Sequence, residues 1–398
     1  MKRRAALLLA AIWVLLGTLQ AEAAETAPIV KSEFSRQELL ADYDAFWDAL
    51  RENDPFLPVM EEAGLRLAAL QREGRETVEK RCVSAGDLLN VLQDQTARMG
   101  NLAHLGMLGP AMFQEYAELV ETGVFSAGSV EALWVRDPQT IYTYALMEPE
   151  PAPAASSAAL PEAEIAYDEE QQILYFHFRT FRHALVERDR VLVAQAVRAH
   201  PEARHIIFDI TGNGGGSAYY WIENIVAPFG GSNQYSRTLY FKLSPLNCRY
   251  GLEEGAEALE AVSAAGLPSF VEKLGLTHRI RDVMLLPGAG EEEQCSSVAR
   301  RWLLIDGTVF SAADSFAAFC KESGWATVVG TPTRGDGGGI RPFLIRLPYT
   351  GLLARFSTVA AANDDGSLNA VTGTRPDFYP KPRERALDAC LRLIRSSP

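Results

Sequence analysis

Cysteine is scarce in this chain of 398 residues: Cys82, Cys248, Cys295, Cys320 and Cys390 are the only five. That is too few to scaffold so long a chain with disulfides. Cys248 and Cys295 bracket one segment and could pair in an oxidising compartment, and the odd count leaves one thiol free. Positive charge is also short, with 38 Lys and Arg against 51 Asp and Glu and a formal charge of -13. Such an acidic chain argues against nucleic acid or an anionic membrane as a partner. There is no C-x-x-C pair and no H-E-x-x-H, and His177, His183, His200, His205 and His278 show no ligand spacing. A zinc enzyme is therefore not expected, and neither a metal nor a cofactor is implied. The G-x-S-x-G of an α/β-hydrolase, the Gly-Lys-Ser/Thr of a P-loop and the G-x-G-x-x-G of a dinucleotide fold are missing too. No internal repeat is visible, and past the first 16 residues no segment is apolar for long enough to span a bilayer.

What is present begins with MKRRAALLLAAIWVLLGTLQAEAAET: a basic start (Lys2, Arg3, Arg4), an apolar run from Ala5 to Leu16, and small residues at Ala21 and Ala23. This reads as a secretory signal peptide, residues 1–23, cleaved after Ala23. The run is short for a spanning helix of roughly 20 residues, and no cysteine follows it to carry a lipid. Its removal takes away Lys2, Arg3, Arg4 and Glu22, moving the formal charge from -13 to -15. The mature protein is expected outside the cytoplasm, secreted or periplasmic, with no membrane contact after cleavage.

Three regions follow. In residues 24–110, SRQELLADYDAFWDALREND places Leu39, Tyr43, Phe46, Trp47 and Leu50 on one helical face behind a Ser N-cap, and DLLNVLQDQTARM continues in helical text. A small helical region is expected there. Residues 111–164 read as a connecting segment that ends in MEPEPAPAASSAALPEAE, a Pro- and Ala-rich linker. Residues 165–385 alternate strands with helices. QQILYFHF, HIIFDI, RRWLLID and WATVVG are the strands; SAYYWIENIVAPF and SAADSFAAFCKESG are the helices; FLIRLP and LLARFSTVAA form a late hairpin about PYTG. The expected fold class is α/β with largely parallel neighbouring strands. GLEEGAEALEAVSAAG and GAGEEEQ are acidic and read as a solvated insertion.

Two strand-to-helix turns stand out. DITGNGGGSAYYW (209–221) crowds Gly212, Gly214, Gly215 and Gly216 before a helix. Backbone N–H groups so placed can hold negative charge, in an oxyanion hole for instance, although a turn of glycines that merely permits close packing gives the same text. The second turn, DGTVFSAADSFAAF, has Ser311 at the helix mouth beside Ala312 and Ala313. A serine there is either an N-cap or an exposed nucleophile.

These residues resemble the C-terminal processing, or tail-specific, serine peptidases. DITGNGGG is similar to that family's D-[LIV]-R-x-N-x-G-G segment, GTVFSAADSFAAFCKESGWATVVGTPTRGDGG to its segment from the nucleophilic serine through G-x-A-x-[LV]-[IV]-G-x-x-T-x-G, and TGTRPDFYP to its closing G-[IV]-x-P-D. The resemblance covers about residues 165–380, in order. It implies a crotonase-like α/β core carrying serine peptidase chemistry, with Ser311 as nucleophile and with Gly214 or Gly215 and Ala312 donating to the oxyanion.

The departures are specific. Many members use a lysine in [FY]-G-K-G, whereas here RGDGG puts Asp336 in that place; Lys321, ten residues past Ser311, matches no motif. MGNLAHLGML resembles the L-x-D-G-H-[TL] segment of the tricorn-like and retinoid-binding-like branches, which implies His104 as base, with Ala103 where the tricorn pattern has a serine. Asp336, Asp365 and Asn101 are the candidates, in that order, to orient His104. No PDZ domain is evident, so the usual grip on a substrate's C-terminus is not expected. Tyr219, Tyr220 and Trp221 line either an apolar subsite or the core. The function expected is a secreted serine-type endopeptidase acting on polypeptides through an acyl-enzyme, with histidine as base. The alternative is a catalytically inactive protein that binds a peptide or an apolar ligand on the same fold.

Overall fold

The computed structural model describes residues 30–147, 163–229, 234–261, 266–286 and 299–396. The signal-peptide segment, nearly all of the Pro- and Ala-rich linker and Cys295 lie outside them. Cys248, half-buried, has a free thiol.

The first helix, α1 (Arg36–Asn53), begins as its sequence dictates. The Ser35 hydroxyl accepts from the Glu38 N–H while the Glu38 carboxylate accepts from the Ser35 N–H, closing a capping box. Leu39, Tyr43, Phe46, Trp47 and Leu50 recur every three or four residues and all are buried. They pack with α2 (Leu57–Glu62), α3 (Leu67–Arg81) and α4 (Ala85–Arg98). A buried amide pins three of these helices: Gln95 accepts from Tyr43 Oη at 2.9 Å and Trp47 Nε1 at 3.1 Å, and donates to Leu70 O at 2.7 Å.

Helix does not stop at residue 110. α5 (Pro110–Glu121), α6 (Val130–Val135) and α7 (Pro138–Ala145) occupy what the sequence presented as a connecting segment. α6 and α7 run for six and eight residues, too few for a helical period to declare itself. The starts are nonetheless encoded, by Ser129 and Asp137 caps on α6 and α7 and by a proline in the first turn of α5 and of α7.

Among the described residues three sheets are present. The largest runs β2 (Glu164–Asp168), β3 (Ile173–His177), β4 (His205–Asp209), β8 (Arg300–Ile305), β9 (Thr327–Gly330), antiparallel at β2/β3 and parallel elsewhere. The connections are α8 (Val186–Ala199), α9 (Ala218–Trp221) continuing through a π turn at Ile222–Val226, and α10 (Ala312–Ser323). Alternate strand residues face two layers: Leu174, Phe176, Phe208 and Leu303 pack under α8 to α10, and Ile173, Ile207, Trp302 and Leu304 under α11 (Ala386–Ser396). The unit therefore runs past residue 385. No helix among the described residues is long and apolar enough to cross a membrane.

A second sheet, β12 (Val359–Ala361), β5 (Gln234–Phe241), β7 (His278–Leu285), β6 (Glu257–Ala258), is antiparallel. Here the sequence showed only an acidic, solvated insertion. Much of 251–258 is indeed exposed, but β6 pairs within it and Leu252 is buried. The third sheet, β1 (Gly106–Met107), β11 (Leu353–Phe356), β10 (Phe343–Arg346), contains the expected hairpin, with Phe343 opposite Phe356.

That hairpin is sunk among the N-terminal helices. Leu344, Leu347, Leu352, Leu353 and Phe356 share one core with α1 to α5. Asp42 of α1 reaches the hairpin turn, accepting from the N–H groups of Tyr349 and Thr350 at 2.8 and 2.7 Å and from Thr350 Oγ1 at 2.6 Å. Burial pushes its carboxyl up, and these three donors and Arg346 oppose the shift. Thr140 and Thr143 of α7 add bonds to Gly351 O and Thr350 O.

Candidate active site

Ser311 occupies the mouth of α10 with φ 56° and ψ -126°, and its side chain makes no capping bond. A non-glycine residue held there costs on the order of 1–3 kcal/mol, so its surroundings must impose it. They do so through backbone bonds: Ser311 N–H to Gly335 O at 3.1 Å, Phe310 N–H to Asn213 O at 3.2 Å and Arg334 N–H to Val309 O at 2.8 Å. Two glycines allow the fit. A Cβ on Gly215 (φ +99°) would lie 2.7 Å from Phe310 O and 2.9 Å from Ser311 Cβ; one on Gly337 would lie 2.4 Å from Ser311 O. The glycine run thus packs its backbone directly against the serine.

His104 comes from the other end of the chain. Asn101, Ala103 and His104 all have positive φ (48°, 53° and 61°), turning the chain sharply from α4 into β1. Since Gly106 faces Arg355 in the β1/β11 ladder, continuing that register sets His104 opposite Ser357, and the Ser357 N–H donates to Ala103 O at 2.8 Å. The result is that His104 Nε2 stands 2.8 Å from Ser311 Oγ across 207 residues of sequence. Nδ1 is in contact with Asp336 Oδ2. Ser357 Oγ lies 3.4 Å from Nδ1 and 3.3 Å from Asp336 Oδ2, and the Phe310 ring packs on the imidazole at 4.6 Å between centroids. With a carboxylate on Nδ1, the ring proton belongs there, leaving Nε2 to accept from the serine hydroxyl.

Asp336 (φ 61°) is aimed by a second carboxylate, Asp314 in α10. Fully buried, Asp314 accepts from Gly337 N–H at 3.0 Å, Asn369 Nδ2 at 3.0 Å and Thr333 Oγ1, stapling the loop of 333–338 to the helix that begins at Ser311. The sequence reading did not single out Asp314, Ser357 or Phe310. An acid inside the otherwise apolar helix face of AADSFAAF was the available signal for Asp314.

Other sequence candidates are placed elsewhere. Asp365 accepts from Ser367 N–H and pairs with Arg375 at 2.7 Å, so it does not orient His104. Asn101 forms the left-handed turn. Lys321 pairs with Asp377. Tyr220 and Trp221 are core residues, leaving Tyr219 alone of the three exposed. The Gly215 N–H is already donated to Asn213 Oδ1 at 2.8 Å, which corrects its candidacy as a free donor. The amides of Gly214 and Ala312 have no acceptor among the described residues. No cluster of metal-ligating side chains occurs among the described residues.

One further buried acid is electrostatically coupled to the site. Asp54, at the end of α1, is pushed up to about 7, chiefly by burial; the Phe56 N–H and Lys242 oppose the shift and Asp336 adds to it. Its Oδ1 accepts from Phe56 N–H at 2.7 Å, and its Oδ2 has no partner among the described residues.

A hydroxyl bound to an imidazole that is backed by a buried carboxylate can pass a proton from oxygen to nitrogen as the oxygen attacks an electrophile. Comparisons with known proteins agree with that chemistry. The sequence matches no curated protein. Among solved structures, a candidate peptidase from Parabacteroides merdae is 16% identical and superposes with a TM-score of 0.53 over 91% of this chain and 97% of its own. Mature CPAF is 14% identical, with a TM-score of 0.52 over 86% of this chain and 92% of its own. At such identities the likeness is one of fold. The family description of peptidase family S41 matches residues 172–379, more than half of the chain. This chain, an α/β protein with a helical N-terminal region, therefore belongs to peptidase family S41 and is a serine peptidase.

Proposed function

We propose that the protein is an endopeptidase in which Ser311 is the nucleophile, His104 its base and Asp336 the residue that orients the base. The observation that carries the proposal is the 2.8 Å approach of His104 Nε2 to Ser311 Oγ, with Asp336 on the other ring nitrogen. His104 takes the hydroxyl proton as Oγ attacks a peptide carbonyl carbon. The amides of Gly214 and Ala312 receive the oxyanion. His104 then returns the proton to the leaving amine as the C–N bond breaks, giving an acyl-enzyme, and water activated by the same imidazole releases the acid and restores Ser311. Asp336 in the place of the family's lysine supports a histidine mechanism, since a carboxylate cannot supply the amine of a Ser-Lys pair.

The N-terminal text supports export with cleavage after Ala23, which N-terminal sequencing of protein recovered from a secreting host would check. The mechanistic test is hydrolysis of an unfolded protein and of peptides blocked at both ends, read by mass spectrometry, for the parent protein, Ser311→Ala and His104→Ala. Internal cleavage by the parent, lost in both variants, is the expected result. Loss in Ser311→Ala alone would dismiss His104 as base, and no cleavage by the parent would leave a binding protein on a peptidase fold.

A further inference from the structure

Arg334 has no assigned role, yet it sits beside the reacting groups. Its guanidinium carbon lies 4.9 Å from the centroid of the Phe310 ring, and that ring lies 4.6 Å from the His104 ring, so the cation is at most about 9.5 Å from the imidazole. Its backbone is fixed, because Arg334 N–H binds Val309 O and the next residue, Gly335, accepts the Ser311 N–H. The residue is exposed. The contact with the Phe310 face holds the guanidinium carbon, and its exposure leaves N–H groups available to a ligand.

It meets no acid among the described residues. Arg341 is answered by Glu131 at 2.6 Å, Arg346 by Asp137 at 2.8 Å and Arg237 by Glu322 at 3.0 Å, whereas Arg334 has no acidic partner among the described residues. In a chain with 51 acidic residues, an oriented, solvent-facing cation next to the serine is a fit for a carboxylate brought by the substrate. A guanidinium edge takes a carboxylate with two parallel hydrogen bonds. Neighbouring residues of an extended peptide are about 3.8 Å apart at Cα, so the cation is within reach of a residue one or two positions from the scissile bond.

We propose that Arg334 is a specificity-determining residue that binds a substrate carboxylate close to the scissile bond. The carboxylate is an acidic side chain or a free C-terminus, and the inference rests on the peptidase reading of the site. The full-length protein, with Arg334→Gln, Arg334→Lys and the remote control Arg72→Gln on α3, is assayed on matched peptides. One pair exchanges Glu for Gln at each position flanking the cleaved bond; the other exchanges a free C-terminus for its amide.

The parent and Arg72→Gln are expected to favour the acid of one pair by roughly ten- to a hundredfold in kcat/KM. Which pair responds identifies the source of the carboxylate. Arg334→Gln is expected to reduce that ratio to near one, through KM with kcat little changed, and Arg334→Lys to recover part of it. A ratio near one in the parent for both pairs, or a preference that survives in Arg334→Gln, overturns the proposal. If no peptide is cleaved, binding of the same pairs to the parent and to Arg334→Gln is measured by fluorescence anisotropy. An acid preference lost in Arg334→Gln then upholds the subsite while the peptidase reading fails; equal binding of acid and amide overturns the subsite as well.

Discussion

The helical half and the parallel-sheet half of this molecule build the same site by different physics. In the parallel-sheet half, Ser311 lies between β8 and α10, and its position follows from a local strand–turn–helix unit within a few tens of residues. In the helical half, His104 owes its position to a two-residue strand paired with a hairpin some 250 residues later. The first arrangement can be encoded in a short stretch of text. The second exists only once Asp42, Thr140 and Thr143 have seated the hairpin among the helices. A site assembled across two such halves brings a strained serine and an imidazole into hydrogen-bond distance.

The strongest way to break this comparison is to ask whether the two halves act as one. Ser311→Ala and His104→Ala are each expected to lower kcat by about 10⁴-fold or more, and the double variant to be no worse than either single one. Multiplicative losses would mean that the halves contribute independently. Asp336→Asn keeps the shape but disturbs the tautomer of His104, and a loss of about 10²–10⁴-fold in kcat with little change in KM is expected. Steady-state kinetics on one cleaved peptide settle both.

The seam itself comes next. Asp42→Ala strips the buried Thr350 N–H and the more exposed Tyr349 N–H of their acceptor, and an unpaired buried donor costs about 1–3 kcal/mol. A fall of about 2–4 kcal/mol in urea denaturation is expected. An unchanged midpoint would show that the hairpin is held by apolar packing alone.

Asp54 sharpens the contrast through pH. Its folded value of about 7 stands above the ordinary 3.8, so the folded state holds its proton more tightly than the unfolded state does. The stability this contributes is fully present below about pH 4 and is lost as pH rises through 7. Asp54→Asn should therefore match the parent near pH 4 and melt higher than the parent at pH 8, the difference growing by on the order of 1 kcal/mol per pH unit from about 4 to 7 and levelling off above. Parallel melting profiles from pH 4 to 8 would refute it. The smallest effect is expected from Ser357→Ala. Its hydroxyl lies at long distance from both His104 and Asp336, and a loss of about three- to tenfold in kcat follows from one weak hydrogen bond.

Legibility followed the range of the interaction. The Ser35 N-cap, the buried face of α1 and the hairpin about PYTG rest on contacts within a dozen residues or so and could be read, and the strands of the parallel sheet showed as short apolar runs although they pair with partners 32 and 95 residues away. α6 and α7 escaped notice because six and eight residues give no period, and β6 because acidic text masked a short paired segment. Among the site residues, Ser311 and His104 were marked by resemblance. Asp314 and Ser357 were not, because their partners lie on loops that only the folded chain brings near.

By itself the sequence determined a serine at a strand–turn–helix junction and a glycine-lined turn, because residue type and local spacing fix those, while His104 and the missing lysine were marked only by resemblance to the family. Only the tertiary structure decided that Asp336 rather than Asp365 backs the histidine and that Ser357 closes on both. Those outcomes depend on distances between segments more than 200 residues apart, and such distances are set by packing, register and burial, which no local pattern carries.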